Sequence, residues 1–258
     1  AQPLVNVAHR SPLPTFETNI RGTYNILEAC RRLGPNLIDR VIIASSDKAY
    51  GTHSDLPYRE DMELRGRHPY EVSKTCTDLL AQSYAFTYQL PLAIVRAGNV
   101  YGGGDLNWDR IVPGTIKSIL KGQSPVIRSD GSFVRDYLYV KDLAEGYVRV
   151  AEELGGSFQT GEAFNFGNEH PISVIELVKL IQSVTGSIEL EPKILGTATG
   201  EIKSQYLSPA KSEKLLGWNP KHSLEEGLLE TVTWYRNFFN DLDRNTRFST
   251  KSSNGQKV

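Results

Sequence analysis

Apolar positions recur along this chain with two alternating periods. Over residues 18–33, Ile20, Tyr24, Leu27 and Cys30 fall three and four apart. That spacing predicts an amphipathic helix, which Gly34-Pro35 stops. Val41-Ile42-Ile43-Ala44 is a short, largely β-branched apolar run. It predicts a buried parallel strand ending in polar Ser45-Ser46-Asp47-Lys48. A second helix is expected over 69–88, with Pro69 in its first turn. Leu92-Ala93-Ile94-Val95 predicts another buried strand, ending in Arg96-Ala97-Gly98-Asn99. Helices are expected near 110–121 and 140–154, and a strand at 163–166. Ser173-x-x-Glu176 and Ser223-x-x-Glu226 are capping boxes that open two more helices.

The order helix, strand, helix, strand over the first hundred residues predicts an α/β fold with a doubly wound parallel sheet. The later part mixes short strands with helices, as a smaller mixed α/β substrate domain does. The expected division is 1–106 for the sheet domain and mainly 107–240 for the substrate domain, with 140–170 returning to the sheet. Residues 241–258 are polar and nearly devoid of apolar side chains, which predicts a disordered tail.

Composition changes this picture mostly by exclusion. The chain has 29 basic and 30 acidic side chains, a balance that excludes a nucleic-acid or membrane-surface partner. No apolar run approaches the roughly 20 residues of a membrane span. Cys30 and Cys76 have no metal-ligand spacing, so no metal is expected, and a reducing, cytoplasmic setting is. The start, Ala1-Gln2-Pro3-Leu4-Val5, has neither the features of a signal peptide nor a Met. The expectation is a chain that begins partway into a longer protein.

Two short segments carry candidate chemistry. In Tyr70-Glu71-Val72-Ser73-Lys74, Tyr and Lys stand four apart on one helical face. A phenol with a pKa of about 10 is a poor base near neutrality, and a neighbouring ammonium lowers that value. The pair then suits removal of a proton from a hydroxyl; the alternative is a solvent-exposed helix pair. In Ser45-Ser46-Asp47-Lys48-Ala49-Tyr50-Gly51, a hydroxyl, a carboxyl and an amine follow a buried strand. Catalytic groups of α/β folds sit at such carboxyl ends. The alternative is a plain helix cap.

Both segments lie within a longer ordered series: Thr18–Thr23, Leu27-Glu28-Ala29, Ser45–Gly51, Tyr70–Lys74, Arg96–Gly104, Arg135-Asp136-Tyr137 with Val140-Lys141-Asp142, and Phe164–Gly167. Over about residues 1–238 this series resembles the extended short-chain dehydrogenase/reductase family, the NAD-dependent nucleotide-sugar epimerases and dehydratases, whose cofactor domain is Rossmann-like. The resemblance implies an oxidising set of Ser46, Tyr70 and Lys74. Tyr70 would be the base toward the sugar 4-hydroxyl, and Ser46 would hydrogen-bond that oxygen. Lys74 would bind the nicotinamide ribose. It also implies cofactor contacts at Asn19, Ala44, Tyr70, Lys74 and Gly98. The nucleotide-sugar substrate would be held by Asn99, by Arg110 and Ile111 on a covering helix, and by Arg135, whose guanidinium fork suits diphosphate oxygens. A homodimer through helices 18–33 and 69–88 is implied as well.

Asp47-Lys48 separates subfamilies. The 4,6-dehydratases carry an acid–base pair after the triad hydroxyl, and Asp-Lys resembles the CDP-glucose 4,6-dehydratases. There Asp47 would be the acid and Lys48 the base, or the pair would share the roles. Arg135-Asp136-Tyr137-Leu138-Tyr139-Val140 instead resembles the broader, epimerase-like version, so a 4-epimerase stands as the alternative. The sequence contains no G-x-x-G-x-x-G, the family's pyrophosphate cradle. A third expectation is therefore a non-catalytic fragment that binds a sugar nucleotide and no dinucleotide.

Overall fold

Three strands, β1 (Val41–Ala44), β2 (Leu92–Ala97) and β7 (Ala163–Phe166), form a parallel sheet in the order β1-β2-β7. Val41 to Ala44 pair with Leu92 to Val95, and Ile94 to Ala97 pair with Ala163 to Phe166. The computed structural model describes the backbone of residues 1–34, 36–197 and 202–253, and side chains as far as Leu242.

The remaining elements follow in chain order. Before β1 come α1 (Val5–Arg10), α2 (Pro12–Phe16), a π turn (Glu17–Arg21) and α3 (Gly22–Leu33). A 3₁₀ turn (Asp47–Tyr50) and α4 (Pro69–Tyr88) separate β1 from β2. Next are β3 (Asn99–Tyr101), α5 (Ile111–Leu120), β4 (Val126–Ile127), β5 (Val134–Arg135), β6 (Tyr137–Tyr139) and α6 (Val140–Glu153). After β7 come β8 (Ile172–Ser173), α7 (Val174–Thr185), β9 (Lys193–Ile194), β10 (Ser204–Gln205), α8 (Ala210–Leu216) and α9 (Leu224–Ser253).

The chain divides into two units. The first comprises Ala1–Val100, Phe133–Ile172 and Thr199–Lys221, and the second Tyr101–Ser132, Ser173–Ala198 and His222–Val258. Thus 199–221, which the sequence assigns to the smaller domain, belongs to the sheet unit. It contributes β10, paired in parallel with β5, and α8 against β7.

In the first unit the period of two along β2 sorts side chains onto both faces of the sheet. Leu92 and Ile94 join Leu27, Ile43, Ala81, Ala85 and Ala163 under α3 and α4. Ala93 and Val95 join Leu138, Val150, Phe164, Phe166 and Trp218 under α6 and α8. Each fully buried large apolar side chain contributes about 1.5–3 kcal/mol. All of β2 but Ala97 is buried, whereas only Ile43 is buried in β1, the end strand of the described sheet.

In the second unit α5, α7 and α9 pack together. Trp108 stacks on Phe239 with ring centroids 5.8 Å apart, and Tyr235 Oη donates to Asp105 O at 2.6 Å. A Cβ on Gly103 would lie 2.4 Å from the Trp234 ring, so that packing requires glycine. Within the tail expected to be disordered from 241, the backbone of α9 is helical to Ser253. Residues 254–258 of that expected tail lie outside the described residues.

Candidate active site

The segment after β1 is shaped by a hydroxyl cap and a glycine. Ser46 is extended (φ −163°, ψ 156°), and its Oγ accepts from Lys48 N at 3.2 Å, opening the 3₁₀ turn. Gly51 ends the turn at φ 68°, where a Cβ would lie 2.3 Å from Arg65 O. Between these limits Asp47 is 3% exposed. Ser46 Oγ donates to Asp47 Oδ1 at 2.9 Å. Burial pushes the Asp47 carboxyl above its ordinary pKa, while Lys48, Ser46 and Arg135 pull it back. The burial effect is the largest, so the net shift is upward. Lys48 Nζ donates to Gln205 Oε1, a residue 157 positions away.

Pro69 opens α4, and the Glu71 carboxylate accepts from the backbone N–H of Arg67 at 2.9 Å and of His68 at 3.2 Å. That cap fixes the first turn, where Tyr70 is buried. One turn later Lys74 is buried too, and its Nζ donates to Ala44 O at 2.8 Å. The exposed-pair alternative therefore fails: both side chains are inside. Burial lowers the Lys74 pKa to about 8. Asn19, expected beside the cofactor, lies in the π turn with its amide engaged by the chain. It accepts from Gln2 N at 2.7 Å and donates to Gln2 O at 3.0 Å and to Ser73 Oγ at 2.9 Å. Asn19 thus ties the N-terminal segment to α4.

Across from α4, the carboxyl end of β2 brings in Gly98 and Asn99, and β5 brings in Arg135. Asn99 N donates to Asp136 O at 3.2 Å. Arg135 is buried, and its Nη1 donates to Val134 O at 2.9 Å and Lys203 O at 3.0 Å. Gln205 stands beside it in register on β10. Asp136 Oδ2 accepts from Asn168 N at 2.7 Å. Burial raises the Asp136 pKa to about 6, opposed by backbone donors from Asn168 and Glu169 and assisted by the charge of Asp47. Beneath these groups, Arg96 on β2 holds Asp78 on α4 through Nε at 2.8 Å and Nη2 at 2.9 Å. Its Nη1 donates to Tyr50 Oη at 2.8 Å, and Tyr50 Oη donates to Asn165 Oδ1 at 2.8 Å.

Among the described residues, several buried polar atoms in this unit have no hydrogen-bond partner: Ser45 Oγ, Asn99 Nδ2, Asp136 Oδ1 and Gln205 Nε2. Buried polar groups are normally hydrogen-bonded, so these atoms retain capacity for bonds to a ligand. Arg110 and Ile111 lie in the second unit. Arg110 is the residue before α5 and not within it, and it pairs with Asp105 at 3.0 Å. Ile111 opens the helix. The sequence offers no motif for Asp136 as a titrating group or for Gln205. β10 is two residues long and shows no periodicity.

Comparison with known proteins places the chain in a family. The model of the NAD dependent epimerase/dehydratase family matches residues 1–167. The chain is 32% identical over 251 residues to CDP-glucose 4,6-dehydratase of Salmonella typhimurium, covering 92% of this chain and 68% of that protein. It spans 62–71% of the lengths of the curated relatives it matches. Among solved structures, UDP-glucose 4-epimerase of Thermotoga maritima with UDP-glucose superposes with a TM-score of 0.84 at 30% identity, covering 93% of this chain and 76% of that one. The dTDP-glucose 4,6-dehydratase DesIV of Streptomyces venezuelae, with NAD and TYD bound, gives 0.83 at 27% identity, covering 92% and 71%.

The residues present fit the nicotinamide half of NAD. At Gly98 a methyl carbon would meet Asp136 O at 3.4 Å and Asp47 Oδ2 at 3.9 Å, ordinary contacts, and its φ is not left-handed. The chain's own atoms therefore do not demand glycine there, and the missing side chain leaves space in which a ligand could approach the backbone. Tyr70, Lys74 and Ala44 flank the same strand ends. Taken with the matched model, the chain belongs to the NAD dependent epimerase/dehydratase family.

Proposed function

We propose that this chain carries the acid–base centre of an NAD-dependent nucleotide-sugar 4,6-dehydratase, of the CDP-glucose type. The observation that carries the reading is the Asp47–Lys48 pair. A buried carboxyl with a raised pKa stands next to an amine that is itself held by Gln205. Asp47 Oδ2 lies on the Gly98 side of the turn. Oxidation at a sugar C4 needs only Ser46, Tyr70 and Lys74; loss of water across C5–C6 needs a further acid and base.

NAD, when bound, supplies the hydride acceptor for C4 and the donor for C6. The protein's residues then divide the proton work. Tyr70 takes the proton of the 4-hydroxyl, and Lys74 binds the cofactor's ribose and favours the phenolate. Ser46 hydrogen-bonds the C4 oxygen. The C4 carbonyl acidifies the neighbouring C5–H; Lys48 removes that proton and, after exchange with solvent, returns one to C5 once C6 is reduced. As the C6–O bond breaks, Asp47 gives its proton to the departing hydroxyl, which leaves as water. General acid–base help of this kind is worth about 10²–10⁴-fold. Asn99 and Arg135 hold the diphosphate; Arg110 and Ile111, in the second unit, are assigned to the substrate from the family resemblance. Ala44, Gly98 and Asn19 line the cofactor side.

The competing reading is a nucleotide-sugar 4-epimerase, favoured by the likeness to the Thermotoga maritima epimerase. It leaves Asp47 and Lys48 without a task. Incubation with CDP-, dTDP-, GDP- and UDP-sugars separates the two: the dehydratase releases a 4-keto-6-deoxy sugar nucleotide, whereas a 4-epimer with its 6-hydroxyl retained refutes it. A nicotinamide-binding titration tests the third reading, a non-catalytic sugar-nucleotide-binding fragment: tight NAD binding by this chain would overturn it. Tyr24, Ile26 and Leu33 on α3, with Leu79, Phe86 and Tyr88 on α4, are exposed apolar side chains that support a homodimer through these helices. No helix among the described residues is long and apolar enough to cross a membrane. A cytoplasmic setting, proposed from the two unpaired cysteines, goes with these assignments.

A further inference from the structure

Gln205 is fully buried, yet no step above uses it. Its Oε1 accepts from Lys48 Nζ, while its Nε2 is buried without a partner. A lysine presents only donors in its charged form, so the carboxamide oxygen must be the end that faces it. We propose that Gln205 is the positioning residue for Lys48: it fixes the amine at the sugar C5 through a neutral acceptor that does not favour the charged ammonium. The inference rests on the dehydratase reading and deepens it.

A base must both stay in place and keep a lone pair. Lysine is a point charge on a flexible four-carbon stem, so an unanchored Nζ samples many rotamers. A carboxylate at position 205 would hold it firmly, but the opposite charge would stabilise the ammonium and remove the lone pair. A carboxamide accepts a hydrogen bond from the ammonium and from the neutral amine alike. Gln205 is placed to do this by the parallel pairing of β10 with β5. Other charged and titratable groups surround the turn. Asp47 lies within it, Arg135 and Asp136 lie on the β5 side, Tyr58 lies close by, and Tyr70, Glu71 and Lys74 come from α4 packed against it. Substitutions at 205 leave all of these in place.

The test has two arms on the full chain. In the first, the Lys48 Nζ titration is followed by NMR, with Lys48→Ala identifying the signal. Gln205→Glu is expected to raise the Lys48 midpoint by about one pH unit or more. An unchanged midpoint in folded protein overturns the contact, and a merely structural glutamine would not move it. In the second, the holoenzyme is assayed for C5 hydrogen exchange with solvent and, separately, for C4 oxidation. Gln205→Met, matched in length and lacking the acceptor, is expected to slow C5 exchange about 10–10²-fold. C4 oxidation and KM should stay within about twofold. Equal loss of both steps, or no loss of exchange, overturns the positioning role. This arm stands alone if Gln205→Glu does not fold. A wild-type product that is a 4-epimer overturns the dehydratase reading itself. A wild-type dehydratase insensitive to Gln205→Met overturns only the assignment of Gln205.

Discussion

The candidate site has two walls that differ in how their polar groups are satisfied. The near wall runs from Ala44 through the Ser46–Tyr50 turn to the first turns of α4. Its working groups are bonded within the chain: Ser46 to Asp47, and Lys74 to Ala44. The far wall comes from the ends of β2, β5 and β10. Among the described residues it holds Asn99 Nδ2, Asp136 Oδ1 and Gln205 Nε2 without hydrogen-bond partners, against Ser45 Oγ on the near side. Each such atom costs about 1–3 kcal/mol when buried. A pre-bonded wall suits chemistry that must be in place before the substrate arrives. A wall with unfilled hydrogen-bonding capacity suits ligand capture. The Arg96–Asp78 pair ties the two together, since one partner is on β2 and the other on α4.

Substitutions should separate the walls. The largest effect is expected at Tyr70→Phe, which removes the near wall's base and should lower C4 oxidation about 10²–10⁴-fold with sugar-nucleotide binding retained. Parallel loss of binding, read by calorimetry, would merge the two walls into one function. Asp78→Ala leaves the Arg96 charge buried and unpaired, and should cost about 3–5 kcal/mol in denaturant unfolding. A cost below about 1 kcal/mol would show that the tie between the walls is dispensable.

Asp136 gives the far wall a pH signature. Its folded pKa is raised to about 6 from the ordinary 3.8, so the folded state holds the proton more tightly. Its stabilising contribution is complete below the ordinary value and is lost as pH rises through about 4 to 6. Asp136→Asn should flatten that decline, by about 1–3 kcal/mol across the window. Thermal melts of both proteins from pH 4 to 7 check the sign; parallel curves would contradict it. The smallest stability effect is expected at Gly98→Ala, within about 0.5 kcal/mol, because the added methyl meets only ordinary contacts. NAD binding should nevertheless weaken, and unchanged binding would remove Gly98 from the cofactor's path.

The same contrast explains what the sequence made legible. The near wall is local. Ser46, Asp47 and Lys48 follow a β-branched strand, and Tyr70 and Lys74 share a helical face, so spacing alone points to them. The strands at 41–44 and 163–166 and the helix at 69–88 keep the limits their apolar periods and Pro69 predict. The far wall is assembled by pairing between distant segments. Arg135 is flagged by its motif, but Gln205 reaches it through a two-residue strand with no period to read. Asn19 is flagged by its motif as a cofactor contact, while its amide is engaged by Gln2 and Ser73. Its hydrogen-bond partners are fixed by the fold, and spacing does not encode them.

The central claim is that Lys48 and Asp47 drive an elimination. It is tested most directly by turnover of CDP-glucose with NAD in D₂O, with the product read by NMR and mass spectrometry. The dehydratase reading predicts a 4-keto-6-deoxy product carrying one solvent deuterium at C5, and Lys48→Ala should abolish that label while reduced nicotinamide still accumulates. A 4-epimer with its 6-hydroxyl intact and no carbon-bound deuterium would contradict it.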